Sequence, residues 1–341
     1  MNYFFDAVIV LFLLTDGALI VRFVLRSRMA ASPRTGWRRK INVPAALLFF
    51  AAILAWALVA YGSFIEPRLL VVTRQKIQIG GSGNSGGFGR SSSSKAATLH
   101  AALISDFHTG PYKKDDYIEK IVAKTLALKP DVIFIAGDNL YGGDTDEIRY
   151  LAPLKKLSAP MGVFAILGNH DYGEGPVPFT AADEVRAHAV RAALEQAGIK
   201  VLVNESQILK IGPKRLYLLG LDEYWTGRDN MDAAILSLRK KGVPWAAAHP
   251  NILLVHNPDE VRVANASGVD LVLAAHTHGG QIRLPFVGPI PPIPDELGRK
   301  YDRGLFTYGK TKLFITSGVG ESGPRARLFV PPEIALLEIT F

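Results

Sequence analysis

The chain has 341 residues and a formal net charge of +8, with 39 Lys and Arg against 31 Asp and Glu. This length accommodates one large α/β domain with an appendage. The absence of cysteine excludes thiol catalysis, thiolate-bound zinc and disulfides, and it is compatible with either redox compartment. The basic balance would suit an anionic partner, but no stripe of Lys and Arg is interleaved with aromatic residues. We therefore expect no nucleic-acid partner.

Two apolar stretches open the sequence, FFDAVIVLFLLTDGALIVRFVL at 4–25 and VPAALLFFAAILAWALVAYGSFI at 43–65. Each is long enough, as a helix, to cross roughly 30 Å of hydrocarbon. Together they predict a transmembrane hairpin over residues 1–66. Asp6 and Asp16 weaken the first span, because a carboxylate at mid-bilayer costs about 2.5 to 3.5 kcal/mol. A cleaved signal peptide fits poorly, because the positive charge follows the apolar run instead of preceding it.

The segment between the two spans, residues 26–40, contains six basic residues. The positive-inside rule places such a loop in the cytoplasm, so the N-terminus and the chain after residue 65 are predicted on the other side. The large domain, residues 67–341, would then be extracytoplasmic. Within it, residues 80–97 are rich in Gly and Ser and predict a flexible loop near the edge of the domain.

From residue 98 onward, strand-like runs alternate with helical patterns. LHAALIS, DVIFIAG and GVFAILG are each followed by an amphipathic segment, and further apolar runs continue to the C-terminus. This alternation predicts a layered α/β domain with buried sheets.

Chemically versatile side chains stand where these predicted strands end. Ligands bind outside the carboxyl ends of strands in α/β sheets, so we expect these side chains to meet at one rim. Taken singly, each could cap a turn or be a buried imidazole, but turn chemistry does not explain their shared placement. The residues are Asp106, His108, Asp138, Asn169, His170, Asp171, His256, His276 and His278.

Asp, Asn and His offer oxygen and imidazole donors without sulfur, which suits divalent Mn, Fe, Zn or Co. The donors are too many for one tetrahedral ion. Two ions about 3.5 to 4 Å apart, sharing one carboxylate, would use them all and would clamp the oxygens of an in-line phosphoryl displacement. Water acidified by both ions would supply a hydroxide nucleophile, and a nearby histidine could protonate the leaving oxygen.

The order of these motifs resembles that of the calcineurin-like metallophosphoesterases, which carry D-x-H, G-D, G-N-H-D/E, H and G-H-x-H. The resemblance covers roughly residues 98–341 and is specific, because five motifs occur in order. HTHGGQIRLP, LDEYWTG and RLFVPPEI are similar to the membrane-attached bacterial YaeI- and YkuE-like branch. The matching segments here are Asp106-Phe107-His108, Gly137-Asp138, Gly168-Asn169-His170-Asp171, His256 and Ala275-His276-Thr277-His278.

The resemblance implies a four-layer α/β/β/α sandwich in the bacterial inner membrane and a role for each motif residue. Asp138 would bridge the two metals, His170 would be the catalytic histidine, and Asp171 would orient it. The ligands implied for the first metal are Asp106, His108 and His278, and those for the second are Asn169, His256 and His276.

Some segments depart from the family pattern or lie outside it. Ala275 replaces the usual glycine before His276, which should leave the turn possible. NLYGG follows Asp138 where protein Ser/Thr phosphatases have D-R-G, and this disfavours protein dephosphorylation. YGEGPVPFT, EYWTGRD and PFVGPIPPIPDELGRKYDRG are candidates for the substrate rim. Four arginines are candidate anion contacts, although we expect ordinary solvated charges: Arg283, Arg299, Arg325 and Arg327.

The sequence therefore predicts a membrane-anchored, dinuclear-metal phosphohydrolase for phosphodiester or pyrophosphate bonds, with a substrate that could be a lipid. One alternative keeps this chemistry but faces the cytoplasm and acts on a nucleotide-lipid pyrophosphate of the UDP-diacylglucosamine type. Another is a non-catalytic metal-bound membrane sensor or scaffold, which is weaker because the ligand set is intact. Transport is weaker still, because two spans without paired intramembrane charges make no pathway.

Overall fold

The computed structural model describes residues 4–29, 43–80, 96–142, 145–173, 180–247 and 249–341. The predicted cytoplasmic loop lies outside the described residues from residue 30 onward. The Gly/Ser segment lies outside them over 81–95, and the candidate rim segment YGEGPVPFT over 174–179.

Seven α-helices lie within the described residues. They are α1 (Phe4–Met29), α2 (Val43–Phe64), α3 (Asp115–Ala127), α4 (Asn169–Tyr172), α5 (Ala181–Gln196), α6 (Met231–Lys240) and α7 (Val261–Ser267). The amphipathic segment after DVIFIAG, DEIRYLAPLKKL at 146–157, forms a 3-10 helix over Thr145–Lys156 where the alternating pattern predicts a helical segment. Pro153 lies inside that helix, where its ring and missing N–H are incompatible with a regular α-helical turn.

The two N-terminal helices pack against each other in antiparallel fashion. The Trp56 indole donates a hydrogen bond to the carbonyl of Leu13 at 3.1 Å, and the rings of Phe23 and Phe49 stack with centroids 4.7 Å apart. Both helices are long and apolar enough to cross a membrane, and the protein buries 0% of one span and 11% of the other. Their length and composition therefore match the predicted hairpin.

Fourteen strands lie within the described residues. They are β1 (Val71–Gln78), β2 (Thr98–Ile104), β3 (Val132–Ala136), β4 (Val163–Ile166), β5 (Lys200–Val201), β6 (Glu205–Ile211), β7 (Lys214–Gly220), β8 (Asn251–Leu254), β9 (Leu271–Ala274), β10 (Arg283–Leu284), β11 (Gly288–Pro289), β12 (Gly304–Tyr308), β13 (Thr311–Ile315) and β14 (Glu333–Thr340). Two six-stranded sheets have the orders β1-β14-β2-β3-β4-β5 and β12-β13-β9-β8-β7-β6, while β10 and β11 form a small hairpin.

Most neighbouring strands in the centre of each sheet are parallel. In the first sheet β2, β3 and β4 run in parallel, with β14 antiparallel to β2. In the second sheet β7, β8, β9 and β13 run in parallel. The carboxyl ends of the central strands therefore open on one edge of each sheet, as the sequence predicts.

Three apolar cores separate four layers. The first sheet packs one face against α3 and α5, as in the cluster of Ile133, Ile118 and Val190. Its other face meets the second sheet, where Leu103 and Leu254 share a cluster. The far face of the second sheet packs against α6 and α7. The predicted α/β/β/α sandwich is confirmed, since each sheet buries both faces.

Candidate metal centre

The predicted ligands lie on tight turns that follow the central strands. Left-handed backbone at a non-glycine residue is strained, and such strain is concentrated at functional sites. Here it turns successive side chains off the strand direction and into the space between the two sheet edges. Five of the predicted ligands are left-handed: Asp106 (φ 54°), His108 (φ 44°), Asp138 (φ 55°), His276 (φ 72°) and His278 (φ 51°).

One group of donors comes from the turns after β2 and β9. His108 Nε2 lies 3.1 Å from His278 Nε2, and His278 Nε2 lies 3.7 Å from Asp106 Oδ1. The two imidazoles stack with centroids 4.9 Å apart. All three side chains are buried, and their ligand atoms lie within 4.8 Å of one another. This cluster has the donor set and spacing of a metal site.

A second group comes from the turns after β3, β8 and β9. His256 Nε2 lies 3.1 Å from Asp138 Oδ2, and His276 Nδ1 lies 3.2 Å from His256 Nε2. Asp138 Oδ2 is also 3.5 Å from His108 Nε2 in the first group. Asp138 therefore stands between the two clusters, where a shared carboxylate would lie.

Several donor atoms in these clusters and on the neighbouring Asn169 are buried, and none of them has a hydrogen-bond partner among the residues that the structure describes. Buried polar groups are normally paired, because an unpaired one loses its interaction with water. A concentration of orphaned acceptors and imidazole nitrogens between two strand edges fits divalent cations bound by oxygen and nitrogen. The atoms are both carboxylate oxygens of Asp106, Asn169 Oδ1, His276 Nε2 and His278 Nδ1.

Burial sets the protonation of the cluster. It lowers the pKa of His108 to about 3, and it lowers the pKa of His276 and His278 well below the usual value. These imidazoles are therefore neutral near pH 7, the form that binds metals. For His256, burial lowers the pKa but the adjacent Asp138 carboxylate outweighs it and raises the pKa.

Glycine permits the close approach of the surrounding loops. Gly318 has φ +65°, and a Cβ there would lie 2.3 Å from Asp106 Oδ2. Gly168 approaches the other cluster equally closely, because a Cβ added there would lie 2.3 Å from Asp138 Oδ1. Both loops can approach these carboxylates only because no side chain intervenes.

His170 lies at the mouth of the site, less buried than its neighbours. Its ring stands edge-on to that of His108, with centroids 4.6 Å apart. Its Nδ1 lies 2.6 Å from the carbonyl of Tyr141, and its backbone N–H donates to Asp138 at 2.9 Å. The carbonyl contact holds the ring in place and assigns the proton to Nδ1.

Asp171 contacts the turn that carries Asp138, whereas the His170 ring contacts Tyr141. The Asp171 carboxylate accepts hydrogen bonds from the Asn139 backbone at 2.9 Å and side chain at 2.9 Å. It also accepts from the N–H groups of Leu140 at 3.3 Å and Gly168 at 3.0 Å. Any orienting effect of Asp171 on His170 therefore passes through the 139–141 segment.

Four residues around the site were not singled out by sequence reasoning. Asn139 and Tyr141 contact Asp171 and His170 as described, and Arg186 donates to the His170 carbonyl. Trp225 meets the His276 ring edge-on, with centroids 4.5 Å apart. Asn139 directly follows Asp138, and Trp225 lies in the candidate rim segment EYWTGRD. These were the only signals in the sequence.

The expectation of four solvated arginines is wrong for Arg327. This side chain is fully buried and donates to the carbonyls of Ser317 at 2.8 Å and Val330 at 3.1 Å, among others. It fastens the loop that presents Gly318 to Asp106. The other three make local contacts, Arg283 with Asp302, Arg299 with the Pro289 carbonyl, and Arg325 with the Tyr112 ring.

The family sequence profile for calcineurin-like phosphoesterases matches residues 99–280. The chain belongs to this family. Phosphodiesterase YaeI of Escherichia coli is 30% identical over 247 residues, covering 72% of this chain and 83% of YaeI. The UDP-2,3-diacylglucosamine pyrophosphatase LpxG of Chlamydia muridarum is 26% identical, covering 85% of this chain and 94% of LpxG. The family, the bacterial branch and metal-dependent phosphoesterase chemistry predicted from the motifs are thereby confirmed.

Other similarities are more partial. The putative metallophosphoesterase F40B5.2 of Caenorhabditis elegans is 34% identical over 254 residues, covering 72% of this chain and 49% of that protein. The chain thus spans about half the length of this curated relative. Among solved structures, the NAD nucleotidase of Haemophilus influenzae aligns with a TM-score of 0.42 and 16% identity, over 67% of this chain and 46% of that one.

Proposed function

We propose that this chain is a membrane-anchored, dinuclear-metal phosphohydrolase that cleaves phosphodiester or pyrophosphate bonds. The supporting observation is the convergence of buried donors on either side of Asp138, several of them without a partner among the described residues. In this proposal Asp106, His108 and His278 would hold the first ion, and Asn169, His256 and His276 would hold the second. Asp138 would serve both. Two divalent Mn, Fe, Zn or Co ions would supply Lewis acidity toward phosphate oxygens and water.

His170 is proposed as the proton donor to the leaving oxygen. Its Nδ1 is occupied by the Tyr141 carbonyl, so Nε2 is the nitrogen free to exchange a proton with substrate. Its position at the mouth of the site suits contact with an incoming phosphate. Asp171 is proposed as a positioning residue, because it fixes the segment that holds the His170 ring.

Substitution of His170 tests the proton-transfer role. His170→Ala should retain both metals and slow hydrolysis of an alkyl phosphodiester by about 10²- to 10⁴-fold. The loss should be smaller for a p-nitrophenyl ester, whose leaving group needs no proton. His100→Ala is the control, because its half-exposed ring lies outside the site. Loss of metal from His170→Ala, or equal slowing of both esters, would show that His170 is a ligand or a phosphate-positioning residue.

The second candidate function is hydrolysis of a nucleotide-lipid pyrophosphate on the cytoplasmic side. It is supported by the similarity to LpxG, which is named as a UDP-2,3-diacylglucosamine pyrophosphatase. The same metal chemistry would serve either substrate, so the two candidates differ first in orientation. The extracytoplasmic assignment rests on the basic loop between the spans.

Single cysteines can determine this orientation, because the chain has no native cysteine. In spheroplasts, a membrane-impermeant maleimide should label Ser92→Cys, in the Gly/Ser segment, and should leave Ser32→Cys, in the basic loop, unlabelled until lysis. The reverse pattern would place the domain in the cytoplasm and favour the nucleotide-lipid candidate.

A further inference from the structure

A short hairpin projects apolar side chains beside the last turn of α2. It comprises β10, a tip at residues 285–287, and β11. Phe286 at the tip is fully exposed, and Val287 is 61% exposed. Phe329, which lines the same cavity as Phe286, and Ile290, which directly follows β11, are also more than one-third exposed. Clustered exposed apolar side chains on a soluble domain indicate an interaction surface.

Basic side chains surround this apolar tip. Phe286, Val287 and Phe329 line one open cavity of about 710 Å³. The charged residues that line it are four basic ones and a single carboxylate: Arg283, Arg299, Lys300, Arg303 and Asp302. Asp302 pairs with Arg283, so the rim keeps an excess of positive charge. An apolar tip within a cationic rim is complementary to the interface of an anionic bilayer.

Backbone contacts connect the hairpin to the end of α2 through one intervening segment. The Arg327 N–H donates to the carbonyl of Gly62 in α2 at 2.8 Å, and the Arg283 N–H donates to the Leu328 carbonyl at 2.9 Å. The Phe329 N–H donates at 2.8 Å to the buried Glu66 carboxylate, just after α2. If α2 crosses a membrane, its end lies at the headgroup level and the hairpin lies beside it.

The other helix, α1, begins at the same side of the domain. Asp6, in the first turn of α1, accepts a hydrogen bond from Tyr112, and Tyr112 lies against Tyr141 at the edge of the metal centre. Lys113, next to Tyr112, donates to the carbonyl of Pro67 at 2.9 Å. The start of α1 and the end of α2 thus contact the face of the domain that also carries the hairpin and the Gly318 loop beside Asp106.

We propose that the 283–289 hairpin is a membrane-docking loop whose Phe286–Val287 tip enters the anionic interface of the bilayer that holds α1 and α2. This inference rests on the membrane anchor of the proposed function. Arg283 Nη1 donates to the Gly279 carbonyl at 3.0 Å, one residue after His278. Docking would therefore hold the candidate metal centre at a fixed height above the headgroups.

A fluorescent probe at the tip tests the docking. The full-length chain carrying Phe286→Cys is labelled with the fluorophore NBD and assembled into nanodiscs of phosphatidylcholine with or without phosphatidylglycerol. Leu236→Cys is the matched control, because Leu236 is an exposed apolar residue on α6. Nitroxide-labelled lipid should quench the 286 probe several-fold more than the 236 probe, and aqueous dithionite should reduce it several-fold more slowly. Both contrasts should be larger in the anionic discs.

Equal responses of the two probes in chains held in anionic discs would overturn the docking and leave the anchor intact. Protection of the 286 probe that appears in detergent and rises with protein concentration would assign the surface to a second copy of the chain, which also overturns the proposal. Failure of the chain to enter discs would remove the anchor and the docking together. Hydrolysis of a soluble phosphodiester by the same samples tests the phosphoesterase separately.

Discussion

In the candidate metal centre, backbone atoms pack closely around the carboxylate of Asp106. Gly318 lies over one of its oxygens, and Arg327 fastens the Gly318 loop by binding the carbonyls of Ser317 and Gly318. This carboxylate is fully buried, and burial raises its pKa. A bound cation would oppose that effect by stabilising the ionised form. Within the described parts of the chain, neither oxygen of this carboxylate has a hydrogen-bond partner, so the arrangement suits a bound cation.

Adding one methyl group at residue 318 tests this arrangement. Gly318→Ala should weaken metal binding and reduce turnover by at least tenfold, because its Cβ would lie 2.3 Å from Asp106 Oδ2. Gly323→Ala is the matched control. Gly323 has a similar φ of +69°, and no described residue places an atom within 4 Å of the added Cβ, so it should show only the left-handed penalty of about 1 to 2 kcal/mol. Similar metal affinities in the two variants would contradict this account.

The sequence predicts the Asp and His residues that cluster at the candidate metal site, whereas it does not predict the contacts that support them. Strand-end Asp and His stand out because apolar runs precede them and their motifs recur in order. Asn139 and Tyr141 form hydrogen bonds of about 3 Å with residues that are 29 to 32 positions away in the sequence. No local sequence pattern encodes such contacts. Arg327 shows the same limit. Its sequence neighbourhood suggests a surface charge, but the fold encloses it among carbonyls.

At the level of elements, the loop between β11 and β12 contains a buried acid that links stability to pH. Asp295 accepts a hydrogen bond from Gly298 through Oδ1, at 3.0 Å, while its other oxygen is buried and has no partner among the described residues. Burial is the main reason that the pKa of Asp295 rises to about 7. The native protein therefore holds this proton at pH values where the unfolded chain, with a pKa of about 4, has released it.

The stabilisation from protonated Asp295 should be complete below about pH 4 and lost as the pH rises through about 7. Between these values its contribution to the free energy of unfolding should fall by up to about 1.4 kcal/mol per pH unit. Asp295→Asn, which resembles the protonated acid, should lack that component. Denaturant unfolding of the wild type and the variant at pH 5 and pH 7 measures it. An unchanged difference between the two proteins at the two pH values would exclude the effect.

Element prediction from the sequence succeeded where periodicity was strong and failed where tertiary contacts decide. The apolar runs before Asp106, Asp138 and His276 are strands, as predicted. β1 and β2 are consecutive in the sequence and flank the Gly/Ser segment, yet β14 lies between them in the sheet. The last strand of the chain fills this position through long-range pairing. The small β10–β11 hairpin was also missed, because each of its strands has two residues.

Across the whole fold, residues 317–330 connect the end of α2 to the candidate metal centre. Residues 317–330 contact Asp106 at one end and Gly62 and Glu66 at the other. The buried Glu66 carboxylate accepts backbone hydrogen bonds from Phe329 and Val330. The position of α2 relative to the site is thus set by backbone hydrogen bonds, so α2 would be a fixed anchor in the proposed function.

The metal content of the purified chain, compared with that of Asp138→Asn, tests most sharply whether the chain holds two metal ions that share Asp138. Elemental analysis of the wild type should find two divalent ions per chain, and chelation should abolish phosphodiester hydrolysis until metal is restored. Asp138→Asn should bind less metal and lose turnover, because it removes a charge proposed to balance both ions. A wild type that hydrolyses the ester after complete removal of metal, or an Asp138→Asn variant that keeps both ions and full activity, would contradict the dinuclear assignment.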